Sequence, residues 1–240
     1  MIEPRVRGHI EPIDSSADGL VLSYGEQLRS LLSPAERSVF ARLSSPPKIQ
    51  DFVDRVPVNF EETGETILSP RRVLREKRAH CIEGALFAAA CFAYHGQPAL
   101  ILNFQASAID FDHVVTLFRR EGLWGAISKT NHSVLRWRDP VYRTVRELAM
   151  SYFHEYLAPN GKKSLRAISR PFDLGRYAPE TWVTAEQDLE WLQDKLNDLS
   201  HAPLLPRGII PRLREISPLE RQALKLVERK ANGRIRPGAA

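Results

Sequence analysis

Cysteine is scarce, with only Cys81 and Cys91 in 240 residues and 27.3 kDa. In a helix the two would lie about 15 Å apart along its axis, beyond disulfide reach, so the stapled framework of a small secreted protein is not expected. Long apolar runs are also missing. The longest, around 85–94, is roughly half of the ~20 residues a membrane-spanning helix needs, and Met1-Ile2-Glu3-Pro4 begins no signal peptide. The expectation is a cytosolic protein with no membrane partner. No internal repeat or low-complexity run occurs, and 43% hydrophobic with 26% charged residues is the composition of a chain that folds around a core. The length suits one core with appended segments.

Acidic residues are the minority, 29 against 34 basic, for a net charge of +5. From His201 onward there are nine Lys or Arg against three Glu, so the excess belongs to the tail. A protein that binds nucleic acid through its whole folded surface would spread such charge more widely. What remains is a weak, salt-sensitive contact between the basic tail and an anionic partner.

Turn and cap chemistry divides the chain. The first eighteen residues mix Pro4, Gly8, Pro12 and Ser15-Ser16 without periodicity and read as an arm. Ser33-Pro34-Ala35-Glu36 is a helix start, with Val39, Phe40 and Leu43 at helical spacing, and a second helix is expected over 48–56. Ser69-Pro70 starts a short third helix whose Arg71, Arg72, Arg75, Lys77 and Arg78 form a solvated face, or one that selects an acidic substrate. The segment 81–94 is apolar nearly all round and closes at His95-Gly96, as a helix buried at the centre of a core does. Strands are expected over 99–104, 113–118 and 123–128, the last two joined by a hairpin turn at Arg120-Glu121-Gly122. Helices over 143–156 and 184–199, another from Ser217-Pro218, and a fraying end at Arg234 complete the expectation.

Cys81 falls in the first turn of the apolar helix, where unpaired N–H groups and the helix dipole favour an anion, and a basic stretch precedes it. Those conditions lower a thiol pKa, whereas Cys91 reads as a small core hydrophobe. The general base a nucleophilic thiol needs is available as His113, which shares a strand face with Val115 and Leu117. His80 next to Cys81 does not make a metal pair, because adjacent residues rarely chelate together and no second close Cys or His pair appears.

Taken together, Ser69-Pro70-Arg71-Arg72-Val73-Leu74, then Cys81-Ile82-Glu83-Gly84-Ala85, His113-Val114-Val115 and Leu123-Trp124-Gly125-Ala126-Ile127 resemble the transglutaminase-like cysteine superfamily over about 69–130. The resemblance implies an α+β, papain-like core, with the Cys-bearing central helix packed on an antiparallel sheet and helical extensions at both ends. It implies thiol-dependent acyl transfer or hydrolysis on a peptide or isopeptide bond, with Cys81 as nucleophile and His113 as proton shuttle. The family's Asp, four residues after the Trp, is here Ser128, and its Gly two before the Cys is Ala79. A hydroxyl can orient an imidazole but cannot stabilise its positive form by charge, so Ser128 is assigned orientation alone. Asp110 and Asp112 fall on the opposite strand face from His113, and Asn131 is a substitute for Ser128 if the strand bends after Lys129. No cofactor is implied, and no EF-hand-type loop suggests calcium. The expected division is 1–46 for the arm and first helix, 47–158 for the core, and 159–240 for a helical, basic extension. The rival expectation is a non-catalytic binding module that recruits an acidic partner.

Overall fold

A computed structural model describes residues 22–62 and 64–230. The arm expected at the N-terminus and the fraying end at Arg234 lie outside the described residues.

Local capping decides where most helices begin. In α2 (Pro34–Arg42), α4 (Pro70–Glu76) and α8 (Pro218–Ala223), a serine before the proline accepts a hydrogen bond from the N–H three residues on. The proline occupies a first-turn position that lacks an intrahelical partner in any case. The same serine chemistry, with Glu26 answering Ser23, starts α1 (Tyr24–Leu31), a helix the sequence reading passed over. Helix α3 (Pro46–Arg55) begins two residues before the expected 48, since its two prolines fit the first turn.

Helix α5 (Cys81–Tyr94) is the centre, and every residue in it except Cys81 is buried. Helices α1 to α4 cover one side of it and the sheet covers the other. The strands are β1 (Leu100–Ala106), β2 (His113–Arg120), β3 (Leu123–Ser128), β4 (Arg138–Tyr142), β5 (Leu165–Ser169), β6 (Phe172–Asp173) and β7 (His201–Pro203). They form a seven-stranded sheet in the order β4-β3-β2-β1-β5-β7, with β6 also on β1, and every pairing is antiparallel. The β2–β3 turn falls where expected, with Glu121 and Gly122 at φ of 52° and 82°. Such left-handed pairs match the twist of a two-residue hairpin. The fold is therefore α+β, with helices on both faces of one antiparallel sheet.

Val114, Thr116 and Phe118 turn toward α5, and the Thr116 hydroxyl donates to the Ala85 carbonyl at 2.6 Å. His113, Val115 and Leu117 turn the other way, toward the side covered by α6 (Val145–Ser151) and the turns that carry Tyr152, Phe153 and Tyr156. Regular helix ends at Ser151 rather than at the expected 156, yet the aromatic residues beyond it still bury.

The segment from 159 on is not the helical extension expected. It supplies β5, β6 and β7 to the sheet as well as α7 (Glu190–Asn197) and α8. Strand β5 is short, and what makes it a strand is the open edge of β1, which no local pattern in 165–169 announces. Helix α7 lacks the expected first six residues because tertiary contacts hold them out of helix: Asp188 accepts from the Ile67 N–H at 3.0 Å, and the Ala185 carbonyl accepts from Ser69 at 2.7 Å. Among the described residues no helix is long and apolar enough to cross a membrane.

Candidate active site

The first turn of α5 is pinned by a carboxylate inside the core. Glu83 is fully buried and accepts five hydrogen bonds. Its Oε1 accepts from Leu68 N–H at 2.9 Å, Thr66 Oγ1 at 3.1 Å and Asn59 Nδ2 at 3.1 Å. Its Oε2 accepts from His80 N–H at 2.8 Å and Asn59 Nδ2 at 3.0 Å. Burial pushes this carboxyl up, opposed by the His80 ring and by donors on both oxygens. The Leu68 and His80 N–H groups and the Asn59 amide can only donate, so this cage fits the carboxylate form, whose negative charge sits at the helix N-terminus, where the dipole favours it.

Cys81 emerges from that turn partly exposed. Strand β2 begins at His113, so its imidazole stands at the margin of the sheet beside the start of α5. The Thr116 anchor on Ala85 sets the two elements in register at that end. The rings of His113 and His80 both neighbour the Cys81 thiol. Burial would push the thiol pKa up, but the two neighbouring imidazoles hold it well below its ordinary value of 9.0. For Cys91, burial alone pushes the thiol up.

On its far side the His113 ring meets Ser128, Nε2 to Oγ, at 2.8 Å. The single proton of that hydroxyl is committed, because Ser128 Oγ lies 2.5 Å from the Leu135 carbonyl, which can only accept. Ser128 must therefore accept from His113, and Nε2 carries the ring proton. The other nitrogen, Nδ1, is left for the sulfur. Leu135 holds this pose at φ 60°, a conformation unusual for a branched residue, with its own N–H donated to Glu155 at 2.8 Å. The Ser128 backbone is clamped in turn by Gln50, which accepts from its N–H at 3.0 Å and donates to its carbonyl at 2.9 Å. Phe104 lies parallel to the His113 ring at 8° and packs beneath it.

Cys81, His113 and Ser128, the three residues singled out in the sequence, thus come together. Asn131 does not join them, since its side-chain amide is bonded to the backbone of Arg229 in both directions. Asp110 and Asp112 build the β1–β2 connection instead: Asp112 accepts from Ala106 N–H at 2.8 Å, and Asp110 accepts from Phe111 N–H and the Ser164 hydroxyl. The arginines of 71–78 are engaged within the chain, Arg71 with Glu36, Arg72 with Glu76 and Asp188, Arg75 with Glu186 and Arg78 with Glu76.

Sequence reasoning missed His80, Gln50 and Leu135. For His80 a signal existed, since a titratable ring at the cap of the Cys-bearing helix with Glu three residues later is legible; Gln50 and Leu135 have none. Among the described residues no cluster of three or more His, Cys, Asp or Glu side chains is arranged to hold a metal ion. No protein-family model matches this chain, and no curated protein matches it.

Proposed function

We propose that the chain is a cysteine acyl-transfer enzyme of transglutaminase-like type, acting on an amide of a peptide or protein. One observation carries the reading: a partly exposed thiol at a helix N-terminus shares an imidazole with a buried hydroxyl that fixes the tautomer of that imidazole. The Cys81 thiolate attacks the carbonyl carbon, and first-turn N–H groups of α5 receive the oxyanion. The C–N bond breaks and the amine leaves with the proton the thiol had given up. Water then attacks the thioester, His113 Nδ1 takes one of its protons, the C–S bond breaks, and the carboxylic acid departs with the other proton as the thiolate reforms. Hydrolysis needs no other reactant, and an amine in place of water gives transfer. Two free thiols suit a reducing, cytosolic setting.

The test uses iodoacetamide and p-nitrophenyl acetate. Cys81 should alkylate at neutral pH while Cys91 does not, and the ester should give a burst of nitrophenolate, one acetyl group on Cys81 and then turnover. Equal, slow labelling of the two thiols without turnover would remove the enzyme and leave a binding module for an acidic partner.

A further inference from the structure

Ser128 offers His113 a neutral acceptor whose own proton already points at Leu135, so Ser128 does not supply the negative charge that usually sustains an imidazolium beside a thiolate. That charge lies on the other side of the sulfur. His80 immediately precedes Cys81 as the cap of α5, and its Nε2 is 2.8 Å from the Thr66 carbonyl, 3.5 Å from Glu83 Oε1 and 3.7 Å from Glu61 Oε1. A carbonyl only accepts, so Nε2 carries a proton, and a second proton on Nδ1 would be donated to the sulfur. Both ring nitrogens then face acceptors, and two carboxylates flank the ring. We infer that His80 is the cation paired with the Cys81 thiolate, with Glu83 and Thr66 holding it, and that it delivers the proton to the leaving amine while His113 serves the water step.

The inference rests on Cys81 being the nucleophile and divides the work around it. In acylation the thiolate forms the C–S bond, the C–N bond breaks, and the His80 proton goes to the amine. In deacylation His113 Nδ1 takes a proton from water, hydroxide adds, and the C–S bond breaks. The proton then held by His113 returns to His80, which restores the pair. Burial disfavours a charged His80 ring, but the bond to Cys81 and the charges of Glu83 and Cys81 push its pKa up to about 10. The facing groups are Cys81 and Glu83 of α5 and Glu61 and Thr66 of the preceding loop, and all favour the cation.

The experiment compares wild type, His80→Gln and His113→Gln by the pH profile of Cys81 alkylation and by the burst and turnover phases with p-nitrophenyl acetate. His80→Gln should move the alkylation midpoint up by about one pH unit or more and slow the burst at neutral pH, with recovery at higher pH. His113→Gln should move the midpoint less than His80→Gln does, and should keep the burst but lose turnover. In the unaltered protein, 15N ring shifts of labelled histidine should show His80 doubly protonated at neutral pH, which tests the idea even if a variant misfolds. A midpoint that moves more with His113→Gln than with His80→Gln, or a singly protonated His80, overturns the inference. An ordinary alkylation midpoint in the wild type would refute the nucleophile reading itself.

Discussion

Replacing Glu83 by Gln is the sharpest perturbation this structure offers, because the side chain keeps its shape and loses only its charge and one acceptor. An amide nitrogen placed at Oε2 faces the His80 N–H and the Asn59 amide; placed at Oε1 it faces the Leu68 N–H and again Asn59. Either way one buried backbone donor meets another donor. An unpaired buried donor costs about 1–3 kcal/mol, and turning the remaining bonds from charge-assisted to neutral costs roughly 1 kcal/mol more. The sum, about 2–4 kcal/mol, corresponds in a chain of this size to a fall of roughly 4–16 °C in Tm. Circular dichroism melts at neutral pH measure it. Alkylation of Cys81, followed in the folded baseline, should slow as well, since both the helix start and His80 lose their fixed charge. A Glu83→Gln protein that melts with wild type would refute the claim that this carboxylate is ionised and organises the first turn of α5.

Ser128→Ala removes the acceptor for His113 Nε2 and leaves the Leu135 carbonyl unpaired; it should cost about 1–2 kcal/mol in denaturant unfolding and slow ester turnover about tenfold or more. Ser128→Asp should not restore a triad, because its carboxylate would face the Leu135 carbonyl that now lies 2.5 Å from Ser128 Oγ; a faster enzyme would contradict this. Gly84→Ala puts a Cβ 2.4 Å from Cβ of Lys129, whose buried stem is held by its ammonium on the Val56 carbonyl at 2.6 Å. With no room to yield, it should lose about 1–3 kcal/mol or more by thermal melt, and an unchanged Tm would mean the helix can lift off β3. The last prediction concerns pH. Unfolded, the His80 imidazole titrates near 6.5 and the Cys81 thiol near 9.0, whereas folded His80 keeps its proton to about 10 and Cys81 loses its own well below 9.0. Between pH 6.5 and 9.0 both states hold one proton on the pair, so its contribution to stability is flat. Below 6.5 the unfolded imidazole takes up a proton the folded pair does not, and the contribution falls as pH drops through the depressed value of the thiol. Above 9.0 the unfolded thiol loses a proton while His80 keeps its own to about 10, and the contribution falls again. The Tm gap between wild type and Cys81→Ala should trace that plateau; a gap still widening above pH 9.0 would contradict it.

Much of this molecule was legible from short-range chemistry. Serine caps followed by proline act within three residues, the apolar length of α5 marks it as central, and a two-residue turn with a left-handed glycine sets the β2–β3 register. These signals suffice to place Cys81 at a helix start and His113 at a strand start. What they cannot carry is the far side of each group. Gln50 clamps Ser128 from 78 residues away, Arg229 withdraws Asn131 from 98 residues away, and β5 exists because β1 has an open edge. Local propensity does not encode such pairings, because they depend on which surfaces meet after the chain has collapsed. The same limit applies within the site. Sequence alone determined that a thiol would stand at a positive helix end with an imidazole on the neighbouring sheet. Only the tertiary structure decided that the Ser128 proton belongs to Leu135, which leaves His113 facing a neutral acceptor and the buried charge with Glu83 on the other side of the sulfur.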